Sequence, residues 1–341
     1  MSTMTRAPIF LLSLLLLVAC QQAVRPNIEA QVPVPEQTVA PPPAEPAPEP
    51  PAVEPVPAIT EPVPDPVYGM GAEVFERLRA GLEPGACDSG GAIARRWRQR
   101  FSANPQLMAR QIETILPLLD YVSREVAQKK LPAEFVLIPL IESGYRPSAI
   151  GLGGPTGLWQ MIASTARNHG IVIKSGYDGR LSPVESTRAA LSYLDTLRVM
   201  MGPWPATVMA YNAGENRVRS ALKRSPAGDP AAGLRHPHGL DNVTYEYIGK
   251  LQALSCLIAD PGQEGIELPM QTRFERLREV TLDPGLTSID QLASRLGING
   301  KSLRELNPAY RGGHVAKGVP RAVLVPASAG EGAILQQTSA P

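Results

Sequence analysis

Glu142 closes an almost unbroken apolar run, Leu131-Pro132-Ala133-Glu134-Phe135-Val136-Leu137-Ile138-Pro139-Leu140-Ile141-Glu142-Ser143-Gly144-Tyr145. A segment apolar on every side reads as a buried helix. A carboxyl at its end loses hydration, which penalises the charged form and keeps the proton on to higher pH. A carboxylic acid still protonated near neutrality can act as a general acid. Asp178, Glu185 and Glu215 are the other acids that could supply a second catalytic carboxylate. Glu185 is the third residue after a proline-led helix start, and Glu215 opens a helix, where an acid favours the dipole. Both have structural reasons to be acidic, and Asp178 stays open. The histidines His169, His236, His238 and His314 lack metal-ligand spacing. No metal and no cofactor is expected.

The elements that must position Glu142 are helical. Residues 105–129 place Leu107, Ile112, Ile115, Leu116, Leu119, Val122 and Val126 near a helical period, with Pro117 expected to kink the helix. The Glu142 helix starts at Pro132, a favoured first position, and stops at Ser143-Gly144. Residues 146–157, rich in Pro and Gly, must be loop. Ser164 caps a short helix ending at Gly170, and Ser182-Pro183-Val184-Glu185 has the form of a capping box opening a helix to Met201. Further helices are expected at 205–211, 215–223 and 242–258, and no strand pattern of any length is expected between Glu73 and Ser255. The last segment changes character. Leu277–Leu282 and Arg321–Val325 read as strands around two short helices, Ser288–Leu296 and Ser302–Leu306.

The 341-residue chain is not uniform. Arg6, an apolar run from Ile9 to Val18, and Ala19-Cys20 follow the plan of a secretory signal, too short to span a bilayer comfortably. Residues 26–66 contain fifteen prolines and seven acids, with no base and no aromatic. Such a segment cannot bury a core and favours polyproline II. At about 3.1 Å per residue it could reach on the order of 100 Å, the length of a tether. Residues 67–341 carry 31 Lys+Arg and 25 Asp+Glu, a mild +6. That suits an anionic polymer, and no motif supports nucleic-acid binding.

Leu17-Val18-Ala19-Cys20 resembles the lipobox of bacterial lipoproteins. The resemblance implies cleavage before Cys20, lipidation of its sulfur and amino terminus, and membrane anchoring through the acyl chains. Gln21, in place of an aspartate, leans towards the outer membrane, facing the periplasm. With Cys20 lipidated, Cys87 and Cys256 remain, and in an oxidising envelope they form either a disulfide or two buried thiols.

Three further motifs follow the Glu142-Ser143 pair: Gly157-Leu158-Trp159-Gln160, Ala210-Tyr211-Asn212-Ala213-Gly214 and Tyr245-Glu246-Tyr247. In this order they resemble the catalytic domain of the lytic transglycosylases, which cleave bacterial peptidoglycan. The resemblance spans about Leu131–Leu257. It implies a mainly α, lysozyme-like fold with a groove for glycan strands, and Glu142 as the single acid/base. Ser143, Gln160, Tyr211 and Asn212 would bind substrate, and Tyr247, with Tyr245 as the alternative, would lie near the carboxylate. Trp159 would either stack on a sugar or pack in the core. The implied reaction breaks the MurNAc-GlcNAc β-1,4 bond and closes a 1,6-anhydro ring on MurNAc. The alternatives are a lysozyme-like hydrolase, which would need a second carboxylate to position water, and a non-catalytic wall-binding lipoprotein. One position departs from the family. A serine often lies nine residues after the acid, where this chain has Gly151, with Ser148 or Thr156 as possible substitutes.

The β-α-α-β order near the C-terminus resembles a LysM-type glycan-binding module through Leu292-Ala293, Leu296-Gly297-Ile298, Leu303, Leu306-Asn307-Pro308 and Leu324-Val325-Pro326. Pro284-Gly285-Leu286-Thr287-Ser288 replaces the usual Gly-Asp-Thr. The expected organisation is a signal peptide (1–19), a lipidated tether (20–66) and a helical lead-in (67–130). A catalytic domain (131–260), a LysM-like module (275–328) and a tail (329–341) follow.

Overall fold

The computed structural model describes residues 67–84, 87, 91–224 and 237–330. Cys20, the signal segment, the tether and the tail beyond residue 330 lie outside the described residues.

The chain enters through strand β1 (Tyr68–Met70), which pairs antiparallel with β4 (Arg273–Glu275), so Gly69 faces Phe274 across some two hundred residues. Helix α1 (Gly71–Gly81) follows at once, with Glu73 accepting from the Met70 amide at 3.0 Å. Its buried residues, Gly71, Val74, Phe75 and Leu78, follow the spacing of one helical face. Gly71 has no room for a side chain, since a Cβ would sit 1.9 Å from the Pro269 carbonyl oxygen. Helix α2 (Ala92–Ser102) lies against α9 (Asn242–Ala259).

Helix α3 (Pro105–Gln128) is capped by Asn104, whose side chain accepts from the Leu107 amide at 3.0 Å. It carries Pro117 within one continuous helix. Beside it, the Glu142 segment is a 3-10 turn, Ala133–Leu137, running into a short helix α4, Ile138–Glu142. The expectation of a single helix from Pro132 is corrected in that respect. Pro139 has no amide to donate, and the tighter 3-10 turn precedes it. Phe135, Leu137 and Ile138 are almost fully buried, each stabilising the fold by about 1.5–3 kcal/mol relative to exposure.

Helix α5 (Ala163–Asn168) begins one residue before Ser164, so Ser164 does not cap it. Helix α6 (Pro183–Met201) does use Ser182 as its cap, accepting from the Glu185 amide at 3.2 Å. Helices α7 (Trp204–Ala213), α8 (Glu215–Arg224) and α9 lie close to the expected spans. A two-residue hairpin, β2 (Ile173–Lys174) with β3 (Tyr177–Asp178), interrupts the helical region where no strand was expected. Two alternations are too few to leave a periodic signal.

The C-terminal part has the expected β-α-α-β order. Strand β5 (Leu277–Thr281) pairs antiparallel with β6 (Ala322–Pro326) around α10 (Ile289–Leu296) and α11 (Gly300–Leu306). Ser288 and Asn299 cap the two helices. The module is not a separate bead. Its Leu277 and Leu324 belong to the main core, while Tyr177 of the hairpin belongs to the module's own hydrophobic cluster. Asp120 on α3, fully buried, joins Arg77, Arg124 and Arg276, the last just ahead of β5. The fold is mainly α with a small mixed module following.

Candidate active site

Glu142 is the last residue of α4, and the chain then turns sharply. Gly144 and Tyr145 both have positive φ, 62° and 59°, and the Ser143 and Tyr145 amides both donate to the Pro139 carbonyl. The buried Tyr145 hydroxyl donates to the Val136 carbonyl at 2.7 Å and pins this turn to the core. Glu142 is therefore left half-buried at the mouth of the helix end.

The Tyr247 hydroxyl, from α9, donates to Glu142 Oε1 at 2.7 Å. Burial raises the Glu142 carboxyl to about 7, against the opposing pull of the Tyr247 bond and of the Lys250 charge. Burial also holds the Tyr247 and Tyr211 hydroxyls well above their ordinary range, so both remain protonated donors.

Of the two candidate tyrosines, Tyr247 reaches the carboxylate. Tyr245 instead bonds to the Pro237 carbonyl at 2.5 Å and accepts from the Leu240 amide. The Tyr211 hydroxyl donates to the Trp159 carbonyl at 2.8 Å. Asn212 Oδ1 accepts from the Thr244 hydroxyl at 3.2 Å, joining the end of α7 to the start of α9.

Two residues expected at the substrate turn inward. Trp159 is fully buried and its Nε1 donates to Thr187 Oγ1 at 3.0 Å, so it packs in the core and does not stack on a sugar. The Ser143 hydroxyl is also buried and donates to the Leu158 carbonyl at 2.8 Å, tying the Glu142 turn to the next motif. Both side chains satisfy their polar groups internally, which a burial pattern alone could not have revealed.

Gln160 is half-buried, at φ 47°, and its Nε2 donates to the Ala149 and Gly157 carbonyls at 3.2 and 2.8 Å. Its amide thus closes the 149–160 loop on itself. Gly151 packs directly on it: a Cβ there would fall 2.6 Å from Gln160 Oε1. Of the two possible substitutes, Thr156 is buried and donates to the Gly154 carbonyl, while Ser148 lines the groove beside α4.

That groove, about 710 Å³, runs from Leu140, Ile141 and Gly144 past Arg146 and Ser148 to Trp97, Phe101, Lys250 and Leu254. It is mostly apolar with cationic groups at its edge. Lys250 was not anticipated. It stands one helical turn beyond Tyr247, the spacing that would have revealed it. Trp97 Nε1 donates to Glu246 at 2.6 Å and Lys250 Nζ lies 4.7 Å from its ring centre.

The remaining acids have other partners. Asp178 is buried and held by the Arg180 guanidinium through Nε and Nη2 at 3.0 and 2.8 Å. Glu185 lies in the first turn of α6, 3.8 Å from Arg188, and Glu215 opens α8. Cys256 is buried in α9 and Cys87 is half-buried.

Residues 122–232 match the family model described as transglycosylase SLT domain, and residues 276–340 match the LysM-like domain of lytic transglycosylase MltD. Over 233 residues the chain is 30% identical to the membrane-bound lytic murein transglycosylase D of Escherichia coli strain K12, covering 68% of this chain and 51% of that protein. The chain thus spans about half the length of the curated relatives it matches. Solved structures of the 70 kDa soluble lytic transglycosylase SLT70 from Escherichia coli and of the lytic transglycosylase Slt from Pseudomonas aeruginosa align at TM-scores of 0.39 and 0.34. Identities are 20% and 19%, covering 60% of this chain in each case and 32% and 39% of the two structures. The half-buried acid at the end of a short helix and its partner tyrosine thus sit on a chain that carries a transglycosylase SLT domain followed by a LysM-like domain of the MltD type.

Proposed function

We propose that the chain is a peptidoglycan lytic transglycosylase in which Glu142 serves as the single acid and base. The observation that carries the reading is the half-buried Glu142 carboxyl, raised to about 7 and held through one oxygen by Tyr247. Of the three acids that could supply a second carboxylate, Asp178 is paired with Arg180, and Glu185 and Glu215 sit at helix starts.

A glycosidase with two carboxylates positions water or forms a covalent intermediate. With one carboxylate, the substrate must supply the nucleophile. Protonated Glu142 gives its proton to the oxygen linking MurNAc to GlcNAc as that bond breaks. The sugar's own N-acetyl carbonyl oxygen supports the positive charge developing at C1. Glu142, now a carboxylate, removes the proton from the MurNAc C6 hydroxyl, and that oxygen bonds to C1. The products are a free GlcNAc hydroxyl and a 1,6-anhydro-MurNAc end, and Glu142 is again protonated. The internal nucleophile gains from proximity. The Tyr247 bond stabilises the carboxylate state midway through the cycle, when Glu142 carries charge.

The reading extends to location. Lipidation at Cys20 and the proline-rich tether would hold the enzyme on the outer membrane, within reach of the glycan strands in the periplasm. Among the described residues no helix is long and apolar enough to cross a membrane.

Mass spectrometry of digested sacculi tests the reaction. The expected products are anhydro-muropeptides, lighter by one water than hydrolytic products. Reducing ends in their place would make the protein a hydrolase, and intact sacculi with the wild-type enzyme would leave only a wall-binding role.

A further inference from the structure

The β2–β3 hairpin has two residues in each strand, and an isolated hairpin of any length is marginal in water. Its support comes from the C-terminal module. The Asp178 amide donates to the Ala309 carbonyl at 3.1 Å, and the Arg311 amide donates to the Gly176 carbonyl at 3.1 Å. Lys174 Nζ donates to the carbonyls of Lys317 and Gly318 at 2.8 and 2.9 Å. The fully buried Tyr177 ring meets Tyr310 edge-on, 5.1 Å between centres.

The hairpin in turn holds Arg180. The Asp178 carboxylate takes the guanidinium through two hydrogen bonds and also accepts from the Arg180 amide at 3.1 Å. The remaining nitrogen, Nη1, donates to the carbonyls of Gly154 and Met161 at 2.8 and 3.3 Å, the two ends of the Gly-Leu-Trp-Gln turn. The Arg180 backbone closes the same turn from behind, since a Cβ on Gly157 would lie 1.7 Å from the Arg180 carbonyl oxygen. At its other face the turn gives the Leu158 carbonyl to Ser143 and the Trp159 carbonyl to Tyr211. Ser143 is the neighbour of Glu142.

We propose that Arg180 is a positioning residue for the Glu142 site, and that the C-terminal module fixes it there through Ala309 and Tyr310. The module is then a part of the catalytic framework, whatever it binds. A planar guanidinium suits the role because its fork engages a carboxylate with two nitrogens and leaves the third for carbonyls, which a lysine ammonium cannot reproduce. The kinetic part of this inference rests on the reading of Glu142 as the reacting acid; the structural part does not.

The full chain is compared with Arg180→Ala, Arg180→Lys and Tyr310→Leu by amide hydrogen exchange and by kcat and KM on solubilised peptidoglycan strands. Faster exchange is expected across residues 154–161 in Arg180→Ala and Tyr310→Leu, with α6 and α9 unchanged. A fall in kcat of about tenfold to a hundredfold is expected, with a smaller change in KM, because small misplacements at a reacting centre cost that much. Arg180→Lys should recover part of both. Unchanged protection of 154–161 in a folded Arg180→Ala protein would overturn the role of Arg180. Loosening confined to residues 309–318 in Tyr310→Leu would overturn the role of the module. If Glu142→Gln kept full lytic activity, the reading of Glu142 would fail, and the exchange experiment would still decide the relay.

Discussion

Tyr247 donates a 2.7 Å hydrogen bond to Glu142 across 105 residues of sequence, and Lys250 follows it one turn along α9. One helix thus carries both groups that pull the Glu142 carboxyl down while burial pushes it up. The first prediction follows from that balance. The acid form is needed to start the reaction, so the rate should fall as pH rises through about 7. Tyr247→Phe and Lys250→Met each remove a contribution that favours the carboxylate, so the falling limb should move to higher pH in both. Profiles of kcat/KM against pH check this, and a limb that stays in place in both variants would refute the assignment.

Gly151 and Gln160 share one small space. A Cβ at residue 151 would meet Gln160 Oε1 at 2.6 Å, and the obstacle is the far end of a flexible side chain. Gly151→Ser should therefore cost little stability, about 1 kcal/mol or less. It should push the Gln160 amide off the Ala149 and Gly157 carbonyls and lower kcat/KM. Truncating Gln160 in the Gly151→Ser background would relieve the clash without restoring those bonds. Urea titrations and kinetics on the same preparations separate the two effects.

Glu134 lies fully buried eight residues before Glu142, accepting from the Glu83 amide at 3.0 Å with its Oε2 unpartnered. Burial raises this carboxyl to about 7 from 4.5. Between those pH values the folded state binds the proton that the unfolded state has released. The stabilisation is thus complete below about pH 4.5 and is lost as pH rises through about 7. Glu134→Gln should remove the share of this carboxyl, about 3 kcal/mol at pH 8, and leave the share of Glu142, which burial raises to the same value. Denaturant midpoints across pH 4 to 8 (on the order of five points) test the slope.

Asp120 gathers three guanidiniums, with Arg77, Arg124 and Arg276 at 3.0 to 3.1 Å. It ties α1 and α3 to the segment entering the module. Asp120→Ala leaves Arg276, itself nearly buried, with only the half-exposed Glu73 as counter-charge. A loss of about 3–5 kcal/mol is expected. Thermal unfolding measures it, and a loss below about 1 kcal/mol, the scale of an exposed pair, would show that the cluster is solvated.

Much of the helical scaffold was legible because its signals are local. Asn242–Ala259 and Pro183–Met201 follow from apolar periodicity, proline placement and a serine cap. The module's strands and helices follow from short apolar runs between turn residues. The β2–β3 hairpin and the β1–β4 pair were not legible. Their strands are two or three residues long, the hairpin is supported by hydrogen bonds from the module, and β1 pairs with a strand some two hundred residues away.

The site divides the same way. By itself the sequence determined that Glu142 would be an acid at the end of a buried apolar segment, because an apolar run forces burial and burial penalises the carboxylate. It also determined the order of the motifs and placed Gly151 where the family often has serine. Only the tertiary structure decided which tyrosine meets Glu142, since Tyr245 and Tyr247 differ by two positions on one helix and hence point to different sides. It also decided that Ser143 and Trp159 face inward, that Gln160 staples its own loop, and that Arg180 and the module stand behind that loop. Those outcomes depend on which buried polar groups find partners, and partners distant in sequence are set by packing.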